Sequence, residues 1–99
     1  MTVYVVAQIT ITDRTAYNRY QSRFMEVFNR FEGTLLSADE APALVEGKWD
    51  RQKIILMSFP TEAAFRAWMQ SPGYQEISKD RLAGSNGVVL LAQGIPTRT

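Results

Sequence analysis

The sequence predicts an α+β fold in which two strand–helix–strand halves share one antiparallel sheet, and three observations carry that reading. Ile54-Ile55-Leu56-Met57-Ser58-Phe59 is apolar on both faces of a strand, because strand side chains alternate with period 2. Val88-Val89-Leu90-Leu91-Ala92 repeats this two-faced pattern near the C-terminus. Between the strand-like segments the apolar spacing switches to threes and fours, the mark of an amphipathic helix.

Val3 to Ile11 reads as the first strand, with Val3, Val5, Ala7 and Ile9 on one face and Tyr4, Val6, Gln8 and Thr10 on the other. Thr12 or Asp13 then caps a helix, since a short side-chain oxygen accepts a free N–H of the first turn. The helix runs from about Arg14 to Glu32. Tyr17, Tyr20, Phe24, Val27, Phe28 and Phe31 form its apolar stripe, and Arg19, Arg23, Glu26 and Arg30 lie opposite. Gly33 stands where a C-cap glycine belongs. Thr34 to Asp39 reads as a second strand, interrupted by Glu40-Ala41-Pro42, with extended chain resuming from Ala43 to Lys48. Asp50-Arg51-Gln52 turns into the strand Lys53 to Phe59. Pro60 ends it, and Thr61 caps a helix to about Gln70 with Ala64, Phe65, Trp68 and Met69 inward. Ser71 and Pro72 start a further helix that points Tyr74, Ile77 and Leu82 at the core. Gly84 and Asn86-Gly87 return the chain to a last strand, Val88 to Gln93. The order is βαββαβ, the ferredoxin-like pattern, with an antiparallel sheet and helices on one face. Residues 1–95 make a single domain and 96–99 a loose tail.

Composition narrows the chemistry. The chain has 99 residues, 45% hydrophobic and 21% charged, as a soluble globular domain has. Its formal net charge of +1 gives no basic surplus for nucleic acid or anionic membrane. It has no cysteine and no histidine, which removes disulfides, thiolate sites, the commonest metal ligand and the usual neutral-pH base. Its carboxylates show no clustered spacing and no glycine-rich phosphate loop is present, so the expectation is no metal and no cofactor. Thr2 to Thr10 is short, alternating and without a basic start, unlike a signal peptide, and no apolar run suits a membrane span. A cytoplasmic protein is the expectation.

Val3-Tyr4-Val5-Val6-Ala7, Asp13 with Ala16-Tyr17 and Arg19-Tyr20, Leu44-Val45-Glu46-Gly47-Lys48-Trp49, Phe59-Pro60, and Trp68 with Ser71-Pro72-Gly73-Tyr74-Gln75 stand in a telling order. In this the chain resembles the domain of unknown function 1330 family, within the dimeric α+β barrel superfamily. The resemblance covers nearly the whole chain and implies two ferredoxin-like units packed sheet to sheet. The family's pattern commonly has an acidic residue before the Phe-Pro pair and another in the first strand. Ser58 and Gln8 stand there instead, which weakens any acid-based chemistry the resemblance implies. The superfamily includes cofactor-free oxygenases, isomerases and haem proteins, activities that fold alone does not transfer.

Candidate site residues follow. Glu46, Trp49 and Arg51 fall together around a turn: Arg51 suits an anionic group, Glu46 a proton transfer and Trp49 a stacked ring. The plain alternative is a surface ion pair beside a packing tryptophan. Tyr17 is a ligand-orienting phenol or a core residue with its hydroxyl at the edge, and Tyr20 reads the same way. Gln8 and Ser58 are polar spots on the sheet, either satisfying each other across an interface or orienting a small ligand. Trp68 and Tyr74 read as packing residues, and Arg19, Arg23 and Arg30 as a solvated face. The expected assembly is a homodimer through the sheet face, because so short a chain cannot cover both apolar faces itself. The expected function is binding of a compact aromatic or anionic molecule between sheet and helices. Two alternatives stand beside it, a filled interaction module and a cofactor-free isomerase or oxygenase.

Overall fold

The computed structural model of the chain describes residues 1–96. Residues 97–99 of the expected tail lie outside the described residues. The elements run β1 (Val3–Ile11), α1 (Arg14–Phe28), β2 (Thr34–Asp39), β3 (Lys53–Phe59), α2 (Glu62–Met69), α3 (Pro72–Gly84) and β4 (Ser85–Gln93). The four strands form one antiparallel sheet in the order β2-β3-β1-β4. This is the ferredoxin-like topology that the strand and helix order implies.

Register sorts the side chains between the two faces. Val5 stands opposite Met57 and Ala7 opposite Ile55, with Leu91 and Val89 as their β4 partners. That face meets the helices. Val3, Val5, Ile9, Met57 and Phe59 pack there with Tyr17, Phe28, Phe65, Trp68 and Ile77 in one core. Aromatic edges fill much of it: Phe28 meets Trp68 edge-on at 5.4 Å and Phe59 at 5.8 Å. The other face presents Tyr4, Val6 and Gln8 from β1, Ile54, Leu56 and Ser58 from β3, and Val88 and Leu90 from β4. Tyr4, Val88 and Leu90 are exposed there, Leu90 by 54%.

Four expectations change. The first helix stops at Phe28 rather than Glu32, because Asn29 donates to the carbonyls of Met25 and Val27 and turns the chain toward β2. The segment 43–48 is irregular rather than extended. β2 already takes the free edge of β3, so a further strand there has no ladder to join. Leu82, expected to point inward, is 67% exposed on α3. The last strand starts earlier than expected, since Ser85, Asn86 and Gly87 pair with Ile11, Thr10 and Ile9.

Candidate functional site

A cavity of about 260 Å³ lies between the helix-facing side of the sheet and the three helices. Val5, Ala7, Ile9, Ile55 and Met57 form its floor. Tyr17, Tyr20 and Phe24 of α1, Trp68 of α2, and Tyr74 and Arg81 of α3 close it from above. The walls are mostly apolar, and Gln21, Lys53 and Arg81 break the pattern. Lys53, the first residue of β3, lines the cavity and is only 3% exposed. It stands opposite Ile9, on the same face as Ile55 and Met57. Gln52 fixes that register: its N–H donates to the Ile9 carbonyl at 2.8 Å, and its side-chain oxygen accepts from the Ile11 N–H at 3.0 Å.

The Lys53 ammonium sits 4.8 Å from the centre of the Tyr17 ring, in cation–π geometry. Among the described residues it forms no ion pair. Burial lowers its pKa below the ordinary value, an effect that the negative Glu40 opposes and Arg14 reinforces. Burial likewise pushes the Tyr17 phenol up to about 12, with the Glu40 charge adding to the shift. Tyr20 is also raised, first by burial and then by Tyr74, whose hydroxyl lies 3.3 Å from its own. At the surface beside these groups, Arg14 donates two hydrogen bonds to the Glu40 carboxylate at 2.9 and 3.1 Å. That contact holds Glu40 below the usual carboxylate range.

Local sequence places each wall. Asp13 caps α1 by accepting from the Ala16 N–H, which sets Tyr17 one residue further along, over the sheet. The Gly84 carbonyl accepts from Thr12 and Asp13, and α3 approaches α1 so closely that a Cβ at Gly84 would lie 2.5 Å from the Tyr17 nitrogen. Ser71 joins α2 to α3 by donating to the Trp68 carbonyl and accepting from the Tyr74 N–H, and the Trp68 and Tyr74 rings meet tilted at 47°, 4.2 Å apart. Two donors in the cavity walls have no hydrogen-bond partner among the described residues, Trp68 Nε1 and Arg81 Nε. With Lys53 and Tyr17, the polar equipment of the cavity is dominated by donors, and donors call for an occupant that accepts.

The sequence-predicted site residues divide between the two sides of the sheet. Tyr17 lines the cavity. Gln8 and Ser58 alternate onto the opposite face, where Gln8 stands beside Ile54 and Ser58 beside Tyr4. Trp49 folds toward that face and donates from Nε1 to the Gln8 side-chain oxygen at 3.1 Å. Arg51 reaches Asn86 at 3.4 Å and Asp50 at 4.0 Å rather than Glu46. Glu46 is exposed in the loop, next to Gly47 with its positive φ of 89°. Proximity in sequence therefore brings Trp49 and Arg51 to one face of the sheet and leaves Glu46 outside. Lys53 and Arg81 are the residues that sequence reasoning misses. The signal for Lys53 is present in parity: it shares its face with Ile55, Met57 and Phe59, so a strand begun at Lys53 carries its amine inward.

A family model described as a domain of unknown function, DUF1330, matches residues 2–95. The chain belongs to this family. Solved structures similar to this DUF1330 member share its fold at low identity. A protein of unknown function from Rhodopseudomonas palustris is 16% identical with a TM-score of 0.77, over 97% of this chain and 84% of that one. SnoaB, a cofactor-independent oxygenase from Streptomyces nogalater, is 17% identical with a TM-score of 0.67, over 97% and 95%. A dimeric ferredoxin-like protein of unknown function from Thermobifida fusca is 13% identical with a TM-score of 0.66, over 94% and 92%. No curated protein matches the chain. Among the described residues of this DUF1330 protein, no helix is long and apolar enough to cross a membrane.

Proposed function

We propose that the protein binds a compact aromatic molecule bearing a carboxylate or another strong acceptor, in the cavity between sheet and helices. The observation that carries this reading is a buried lysine with no acidic partner among the described residues, in a mostly apolar cavity. Burying an unpaired ammonium is costly, and an anionic occupant offsets that cost. The apolar floor and the Tyr17, Phe24 and Trp68 rings suit a planar ring, and the small volume suits a single one. The opposite sheet face, with Val88 and Leu90 exposed, supports a homodimer in which a second copy covers it. In that assembly Gln8, Ser58, Trp49 and Arg51 belong to the interface rather than to the ligand, and Glu46 has no part in either.

A second reading, cofactor-free oxygenation or isomerisation, draws support from the fold likeness to SnoaB and from proton-bearing Lys53 and Tyr17 beside the same cavity. Thermal shift with benzoate, on wild type and Lys53→Met, tests the binding reading. Benzoate raises the Tm of wild type and leaves that of Lys53→Met unmoved. Equal shifts in both remove Lys53 from the site, and no shift in either removes the anionic ligand.

A further inference from the structure

We propose that the Lys53 amine is a nucleophile that condenses with the carbonyl carbon of a compact aromatic aldehyde or ketone held in the cavity. The proposal rests on the ligand-pocket reading and adds a covalent step to it. Three features of the chain carry it. Lys53 is placed by a strand rather than by a loop, and Gln52 sutures that strand end to β1, so the backbone that carries the amine is fixed beside the cavity floor. Its ammonium lies over the Tyr17 ring, and among the described residues no carboxylate holds it in a salt bridge. Arg14 is the cation whose charge acts on Lys53, and a second cation near a desolvated lysine favours the neutral, nucleophilic amine. Burial shifts Lys53 in the same direction, while the Glu40 charge opposes it.

The step balances without an added oxidant or reductant. The nitrogen lone pair forms the C–N bond, the carbonyl π pair moves to oxygen, and the carbinolamine then expels that oxygen. The two amine hydrogens leave with it as water, and an imine remains. An apolar cavity lining favours this outcome, because water is the product and also the hydrolysing agent. A methionine at position 53 would fill the same space without desolvating a charge, so packing gives no reason for a lysine there.

Benzaldehyde with sodium borohydride, read by intact mass and peptide mapping, tests the step on the wild-type protein. The chain carries only three lysines, Lys48, Lys53 and Lys79, and the other two are exposed. Plain accessibility makes Lys53 the slowest of them to react. The proposal expects the reverse: a benzyl adduct on Lys53 at least tenfold faster than on Lys48 or Lys79, and slowed by excess benzoate. Labelling of Lys53 no faster than of the exposed lysines overturns it, as does labelling that benzoate leaves unchanged. Benzoate thermal shift on the same protein separates the two readings. A shift with Lys53 unlabelled overturns the imine and keeps the pocket, whereas no shift and no Lys53 adduct overturns both.

Discussion

The two faces of the sheet are built from the same residue types and end in different states. On the helix side, Val5, Ala7, Ile9, Ile55 and Met57 meet rings from all three helices, yet they enclose a void and a lysine. On the other side, Tyr4, Val6, Ile54, Leu56, Val88 and Leu90 form a similar apolar surface, with no helix over it among the described residues. The first face is covered by helices and incompletely filled, and the second is left uncovered, with Tyr4, Val88 and Leu90 exposed. The difference shows how to tell the faces apart. A face completed by its own chain can hold a costly polar group for a purpose, whereas a face left open needs another surface before it becomes a core.

The largest expected effect breaks the helix face. Trp68 touches Phe24, Phe28, Phe59, Phe65 and Tyr74 and is 1% exposed. Trp68→Ala costs about 3–5 kcal/mol by lost burial and a cavity, read by urea denaturation. A loss below about 1 kcal/mol would mean that this face is not the protomer's core.

Leu56→Asp addresses the open face. Leu56 stands between Val6 and Ser37, on the side without helices. The carboxylate meets the partner sheet unpaired, which costs association at least about 2–3 kcal/mol. Light scattering then gives the protomer mass where wild type gives twice that mass, while far-UV circular dichroism is retained. Unchanged mass in both proteins removes the sheet-to-sheet dimer.

How much of this was legible follows the same division. Strand alternation assigned the faces correctly, because Val3 to Ile11 and Lys53 to Phe59 keep strict period 2 and register then follows. The stripe from Tyr17 to Phe28 placed α1 over the sheet for the equivalent reason at period 3.6. The site was less legible. Glu46, Trp49 and Arg51 are close in sequence but sit on an irregular loop, whose path no periodicity constrains. Lys53 is concealed by position: at a strand's first residue a charge reads as the end of the turn, and only its pairing with Ile9 carries it inward. The partnerless nitrogens of Trp68 and Arg81 depend on three helices converging, which no local pattern encodes.

The smallest effect sharpens the contrast through pH. The folded Tyr17 phenol titrates near 12 against an ordinary 10.0, so the unfolded chain releases that proton first. Its stabilisation is complete below pH 10 and is lost as pH rises toward 12. Lys53 acts with the opposite sign. Its folded pKa lies below 10.5, the folded state gives up the proton first, and stability rises with pH up to that value. Tyr17→Phe changes stability near neutral pH by no more than about 1 kcal/mol and reduces the alkaline loss, with Tyr20 supplying the remainder. Lys53→Met flattens the rise below it. Denaturation midpoints measured from pH 7 to 12 check both, and a Tyr17→Phe curve parallel to wild type would place that phenol in water.

The chain has two tryptophans, and the sheet separates them. Trp68 is a wall of the inner cavity, packed at a tilt against Tyr74. Trp49 is half-buried on the outer side, with its indole N–H held by Gln8. Each side of the sheet thus has its own intrinsic fluorophore in a different dielectric. With Trp49 replaced by Phe, emission reports occupancy of the cavity alone; with Trp68 replaced by Phe, it reports the covering of the outer face. The protein comes with separate optical channels for filling its interior and for meeting a second copy of itself.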